Sequence, residues 1–354
     1  MTNNAVDHVT IRGFKSIASL ERLELRPINI LIGANGAGKS NFIGAFELLQ
    51  RAWENRLTLF FAKQGGANRV FHFGTKNTRQ ITVQFSASQG QAVYTLVLEP
   101  GEVDSIVVAD EEMKYPMASF RPSEANQGEL VVLTKLDGAG WRVYHFHDTG
   151  DTSPMKRTAK VDDNRFLRSD GSNLASFLYY LRKSQPDAYR AIVRTVQRVA
   201  PFLFEFQLEP MLLSPSDIRL EWKHRSSDQF FDVSSLSDGT LRFIALAGLL
   251  LQPKELRPSM ILVDEPELGL HPYAIGLLAS MIKQAAVDTQ VIVATQSPIL
   301  LDYFEPEDVL VADCVDGATA IKRLDAEPLA EWLEDYSLGQ LWEKNEIGGL
   351  PGSM

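Results

Sequence analysis

The eight residues Gly33-Ala34-Asn35-Gly36-Ala37-Gly38-Lys39-Ser40 constrain this chain more than any others. An apolar run, Ile28-Asn29-Ile30-Leu31-Ile32, precedes them, and Asn41 to Leu49 follows with helical spacing. The glycines therefore stand between a buried strand and the start of a helix. In that setting the pattern G-x-x-x-x-G-K-[ST] predicts a phosphate-binding loop. Backbone N–H groups from Asn35 to Gly38 turn toward the phosphates, Lys39 reaches the outer ones, and the Ser40 hydroxyl ligates the accompanying magnesium, with Asn41 next in line. A glycine-rich turn that merely opens a helix is the plain alternative.

A chain of 354 residues, 45% of them hydrophobic, can fold as one large domain or two average ones. No apolar stretch reaches the length of a membrane span, and Met1 to Asp7 offers neither a basic region nor an apolar segment. A cytoplasmic protein without membrane attachment is expected. The single Cys314 excludes intramolecular disulfides and a cysteine metal cluster, in keeping with a reducing compartment. With 35 basic against 45 acidic residues the net charge is −10, which argues against a generally basic nucleic-acid binder and leaves room for a local patch.

Taken in order, Val9 to Leu25 predicts two short strands around Gly13-Phe14-Lys15-Ser16-Ile17, a hairpin leading into the loop. Ile81 to Phe85 and Tyr94 to Leu98 predict antiparallel strands that turn at Gln89-Gly90-Gln91, and further strands are expected at Leu130 to Leu133 and Trp141 to His147. Near Asn164 the pattern becomes helical. Ser172 is expected to cap one helix, and Ser184 with Pro186 to start the next. Arg190, Arg194 and Arg198, with Arg182 and Lys183, could form a basic stripe there, or simply a solvated helix face.

Past residue 230 a second set of polar residues appears. Ser237-Asp238-Gly239-Thr240 opens an apolar helix, where a phosphate would be favoured but an ordinary N-cap explains the residues equally. Met260-Ile261-Leu262-Val263 is a buried-strand run ending in Asp264 and Glu265, and Val291 to Ala294 is another, ending in Thr295-Gln296-Ser297. The first carboxylate suits magnesium and the second can take a proton from an attacking water. His145 and His147 share a strand face, where a metal or phosphate role competes with an ordinary half-buried strand, and no metal site is proposed there.

Together these segments resemble, in order, the Walker A, signature, Walker B, D-loop (Glu267 to Pro272) and switch motifs of ABC-type ATPase heads. Ile11-Arg12-Gly13-Phe14-Lys15-Ser16-Ile17 and Gly38-Lys39-Ser40-Asn41 are similar to the RecF/SMC-like branch. Tyr144 to Thr149, Asp170 to Ala175 and the tail from Leu341-Trp342 to Gly348-Gly349 resemble the stand-alone bacterial "AAA family" ATPases, relatives of the overcoming-lysogenization-defect ATPases that often lie in phage-defence operons. The resemblance implies an α/β P-loop NTPase fold, one head over residues 1–354 with a mixed sheet core, an antiparallel β lobe and a helical lobe. Within it a Walker A lobe covers 1–101, a β insert 102–165, the helical lobe 166–215 and a signature and Walker B lobe 216–354. It implies ATP and Mg2+, with Ser40 and Asp264 on the metal, Glu265 as base, Gln296 sensing the γ-phosphate and Arg12 and Lys15 approaching the nucleotide. Ser237 and Gly239 would reach across a homodimer that sandwiches ATP. Two residues depart from transporter heads: Gln296 stands at the switch in place of His, and Asp238 where a second signature Gly is common.

The function implied is a nucleotide-driven switch, the regulatory ATPase of an anti-phage defence or toxin-type module. Asp302, Asp308 and Asp313 do not form the D-x-D pair of a metal-dependent nuclease, so a separately encoded effector is expected, with Trp332 to Trp342 as a docking surface or as terminal packing. The alternative is a RecF/SMC-like DNA-repair ATPase binding DNA through the arginine stripe. A transporter subunit is disfavoured by the early hairpin, by Gln296 and by the lack of a recognisable Q-loop.

Overall fold

In the computed structural model, residues 6–87, 89–102, 105–115, 118–120 and 140–349 are described. The strand expected at Leu130 to Leu133 lies outside them. The chain divides into two units, one formed by residues 1–143, 258–264 and 289–354, the other by 144–257 and 265–288.

The first unit is built around two sheets. Its mixed sheet centres on Ile28–Ile32 (β3), buried from Asn29 onward and flanked by two parallel neighbours, Gln290–Ala294 (β15) and Val309–Val315 (β16). A strand paired on both sides and covered on both faces needs a continuous apolar run, which Ile30 to Ile32, Val291 to Ala294 and Val309 to Ala312 supply. Met260–Asp264 (β14) runs parallel on the far side of β15, Trp141–Tyr144 (β8) borders it, and Ala318–Arg323 (β17) pairs antiparallel with β16. Asp316 and Gly317 turn that last hairpin with positive φ, as a two-residue Asp-Gly turn requires.

The second sheet is antiparallel, in the order Ile17–Glu24 (β2), Val6–Phe14 (β1), Ile81–Ala87 (β4), Ala92–Pro100 (β5), Ile106–Tyr115 (β6) and Ala118–Phe120 (β7). β1 and β2 form the expected hairpin, and β4 and β5 the expected pair. β6 and β7, which fall within the 102–165 segment, extend this same sheet. The helix Lys39–Trp53 packs on both sheets, burying Phe42 and Phe46. Phe46, Phe85, Trp53 and Trp141 meet edge to face or tilted, with ring centroids 4.8–6.0 Å apart. Each such ring contributes roughly 1.5–3 kcal/mol by burial alone, so the helix that follows the phosphate loop is anchored by the core. The helix Leu338–Glu343 packs on Pro298–Leu301 and buries Leu338, Leu341 and Trp342 as internal packing, while Leu333 and Tyr336 are half-buried and Trp332 is exposed.

The second unit gathers the helices Leu174–Ser184, Pro186–Val199, Asp238–Leu250 and Pro272–Ala285, together with the three-stranded sheet Leu203–Gln207 (β10), Glu221–His224 (β12) and Phe230–Asp232 (β13). The pair Ala159–Lys160 (β9) and Asp217–Ile218 (β11) completes it. Two expected caps are corrected. Asn173, not Ser172, precedes the first helix, and its buried amide is used by the preceding loop, accepting from Arg168 N and donating to Asp163 O and Phe166 O. Ser184 closes that helix by donating to Tyr180 O, and the next one starts from Gln185 with Pro186 as its first residue.

Candidate nucleotide site

In the first unit the loop Gly33 to Gly38 leaves β3 at its C-terminal end, and Asn35 and Gly36 form its exposed tip. Gly38 caps the following helix at φ 98°, and a Cβ there would overlap Thr319 Oγ1, so both conformation and space demand glycine. Thr319 is buried on β17. Its N–H donates to Ser16 O, its hydroxyl shares a 2.7 Å hydrogen bond with Ser16 Oγ, and Asn41 Nδ2 donates to that same Ser16 oxygen. The hairpin turn Lys15-Ser16, the loop and β17 are thereby tied together. Lys39 is buried and donates from Nζ to Gly33 O at 2.6 Å and Ala34 O at 3.0 Å, carbonyls that keep its ammonium inside the loop's own cradle.

Sheet order brings the other first-unit residues to the same edge. β15 lies between β3 and β14, all three parallel, so Asp264 at the end of β14 and Gln296 just beyond β15 emerge on the side where the loop begins. Ligands of open parallel sheets bind at this edge. Ser40 Oγ donates to Asp264 Oδ2 at 3.0 Å. Two hard oxygen donors so placed fit magnesium, which takes one or two protein oxygens and fills its shell with phosphate and water. Among the described residues no group of three or more His, Cys, Asp or Glu could hold a metal. Gln296 is fixed from both sides: Thr295 N donates to Leu31 O, and Ser297 caps the next helix through Leu300 N.

Lys15 and Arg12 part company. Lys15 adopts φ 49°, donates to Gln64 Oε1 at 3.1 Å and lies over the Phe14 ring, and burial holds its ammonium below the usual lysine range, partly countered by Glu47. Arg12 instead makes a bidentate pair with Glu21 at 2.6 and 2.7 Å on the exposed side of β1. A cavity of about 410 Å³ beside the loop is lined by Lys15, Ser16 and Asn41 and by three residues that the sequence reading did not single out, Asn68, Arg69 and Phe73. Phe73 is two-thirds exposed at φ 51°, an unusual backbone for a bulky residue. Gly65-Gly66 and Gly74 around it were the available signal.

The second unit carries the remaining candidates. Glu265 follows Asp264 by one peptide bond and takes φ 42°, a conformation costing about 1–2 kcal/mol for a residue with a Cβ, the kind of strain that collects at functional positions. Ser237 is the N-cap of Asp238–Leu250, its Oγ accepting from Thr240 N. A Cβ on Gly239 would overlap Gly269 O, so this helix start and the turn Glu267 to Leu270 are in direct backbone approach. Arg242, buried one turn on, donates from Nε to Phe146 O at 2.9 Å and from Nη2 to His147 O at 3.2 Å. Desolvation pulls its guanidinium below the usual arginine range, with Asp238 and Glu267 acting in the opposite sense. His145 and His147 have ring centroids 6.2 Å apart and belong to no metal-binding group among the described residues. In the arginine stripe, Arg190 pairs with Asp187, Arg182 with Glu209, and Arg198 lies over the Tyr273 ring.

A family model described as "AAA domain, putative AbiEii toxin, Type IV TA system" matches residues 28–100 and 133–302. A comparison with curated proteins gives no match. Among solved structures, an Smc head bound to the C-terminal winged-helix domain of ScpA is similar with a TM-score of 0.63 and 17% identity, covering 92% of this chain and 99% of the other. An Smc head with an extended coiled coil from Pyrococcus furiosus, bound to the C-terminal domain of ScpA, gives 0.62 and 15% identity over 93% and 98% of the two chains. The SMC head domain from Thermotoga maritima gives 0.51 and 14% over 92% and 100%. The fold is that of an ABC-type ATPase head of the SMC/RecF-like kind.

Proposed function

We propose, on the premise that this chain belongs to the AAA-domain family of AbiEii-type toxin–antitoxin systems, that it is an ATP-hydrolysing switch that dimerises around nucleotide and controls a separately encoded effector of an anti-phage or toxin module. The observation that carries this reading is the placement of Lys39, Ser40, Asp264 and Gln296 at one edge of the mixed sheet. Lys39 exchanges the carbonyls of Gly33 and Ala34 for phosphate oxygens, while the amides from Asn35 to Ser40 close around them. Ser40 and Asp264 would hold magnesium, whose charge, when bound, would offset that of the transferring phosphoryl group. Glu265 accepts the proton of the attacking water, and Gln296 donates to the γ-phosphate without changing charge near neutral pH. Lys15 meets the nucleotide from the 410 Å³ cavity, whereas Arg12 would first have to leave Glu21.

Ser237 and Gly239 complete the site of a second copy. Taking a dimer equilibrium from 1:99 to 99:1 requires about 5.5 kcal/mol of preference for the closed form, a load that two composite sites share. Hydrolysis resets it. The DNA-repair alternative has less in its favour, because three arginines of the expected stripe already have partners. The test is Glu265→Gln. We expect ATP to convert this variant into a lasting dimer by light scattering, with phosphate release cut at least a hundredfold. Wild-type turnover would remove Glu265 as base, and a variant that stays monomeric with saturating ATP would remove the dimer.

A further inference from the structure

A second cavity, of about 290 Å³, lies on the face of the antiparallel sheet in the first unit and is lined by the polar residues His8, Thr10, Arg22, Gln84, Ser86 and Lys114 together with Gly90 and Val93. The sheet register explains why these residues meet. His8 stands opposite Ser86, Ser86 opposite Val93 and Val93 opposite Lys114, one straight row across β1, β4, β5 and β6, while Thr10 opposite Gln84 forms the next row on the same face. Two polar atoms at this site are buried and lack a hydrogen-bond partner among the described residues: Ser86 Oγ, on a residue only 8% exposed, and His8 Nδ1. A buried hydroxyl without a partner is costly and uncommon in a native fold, which points to a group that arrives from outside.

The surrounding charge says what that group is. Arg22 stands at the mouth with no ion pair among the described residues, and its own N–H donates to Thr10 Oγ1, leaving that hydroxyl's proton available. Lys114 adds a second cation, shared with Glu112 at 2.7 Å, and Asp7 is occupied by the N–H groups of Gln89 and Gly90. The Gln84 amide donates to Thr95 Oγ1, and Glu112, in the same row as Gln84 and Thr95, is paired with Lys114. The groups left for a ligand are mostly donors: two hydroxyls, the Arg22 guanidinium and the Lys114 ammonium, with the imidazole beside them. A tetrahedral oxyanion with three or four acceptor oxygens satisfies such a set better than a planar carboxylate. The volume falls just short of the roughly 300–1,000 Å³ of drug-sized sites, which suits a ligand as small as one tetrahedral oxyanion. We propose that this cavity is a phosphate-binding site, separate from the nucleotide loop, that takes inorganic phosphate or the phosphate group of a small metabolite.

The proposal is independent of the ATPase reading, and the test keeps the two apart. Inorganic phosphate is titrated into full-length protein carrying Lys39→Ala, which disables the nucleotide loop, and binding is followed by calorimetry and by 31P line broadening. We expect saturable binding that weakens about tenfold or more on adding Ser86→Ala or Arg22→Ala, falls with added salt, and is competed by glycerol phosphate but not by acetate. Retention of ATP binding by Ser86→Ala in the otherwise wild-type chain shows that the variant is folded. Absence of phosphate binding to the Lys39→Ala protein, or binding indifferent to both cavity substitutions, overturns the proposal. Competition by acetate as effective as by glycerol phosphate overturns the phosphate assignment.

Discussion

Replacing Arg242 with Met tests whether one buried guanidinium holds the signature segment in place. Methionine keeps most of the side-chain volume and removes the donors to Phe146 O and His147 O. Each orphaned buried carbonyl costs about 1–3 kcal/mol, and relief of the desolvated charge returns part of the sum, which leaves a net loss of about 2–4 kcal/mol. Urea unfolding of the full chain at pH 7 reads this as a shifted midpoint with an unchanged slope. Arg242→Lys restores the charge without the planar fork that serves two carbonyls at once, so it should recover less than half of the deficit. The start of the helix Asp238–Leu250 loosens at the same time, so ATP-dependent dimerisation should weaken while nucleotide affinity at the loop is kept. A Met variant within about 1 kcal/mol of wild type, or a Lys variant that restores everything, refutes the reasoning.

Gly38→Ala puts a Cβ into a left-handed residue, at about 1–2 kcal/mol, and into Thr319 Oγ1. ATP affinity should fall about tenfold or more, and a further Thr319→Ala should recover only the steric share; full recovery in calorimetry would show that φ is not limiting. The exposed Arg12–Glu21 pair makes a small, pH-dependent contribution. Its hydrogen bonds hold the Glu21 carboxyl down at about 2, so the stabilisation is present above the ordinary value of 4.5 and is lost as pH falls toward about 2. With both side chains about half exposed, Glu21→Gln should lower stability at pH 7 by less than about 1 kcal/mol. That gap should close on acidification and with added salt, and a gap that persists in acid contradicts the assignment.

What could be read in advance follows the range of the forces involved. β3, β14 and β15 were legible because a strand buried on both faces must be apolar throughout, and the loop glycines and terminal acids stand at fixed offsets from such runs. The short hairpins were legible from alternation and turn residues. Thr319 was not, because its contact with Gly38 and Ser16 joins residues about 300 positions apart, and nothing local marks it. The Asp316-Gly317 turn could have announced the hairpin that delivers it, though not its partner. The helix start at Asn173 was missed for a different reason: its amide is taken up by Arg168 N, Asp163 O and Phe166 O of the preceding loop, so the residue that leads the helix makes no side-chain cap.

The signature residues show why site geometry changes the interpretation of a motif. Ser237 and Gly239 were singled out for contacts with a second copy, yet each has a duty within its own chain. Ser237 caps the helix Asp238–Leu250, at a cost of about 0.5–2 kcal/mol if lost, and Gly239 permits the backbone approach to Gly269. Loss of activity on changing either one therefore cannot by itself report a contact in trans. Asp238 lies between them with its side chain about two-thirds exposed and its nearest cation, Lys156, at 3.9 Å. In the proposed dimer its acidic charge would repel the phosphate of the second copy's nucleotide unless Lys156 offsets it, so the two residues together would set how tightly that dimer closes.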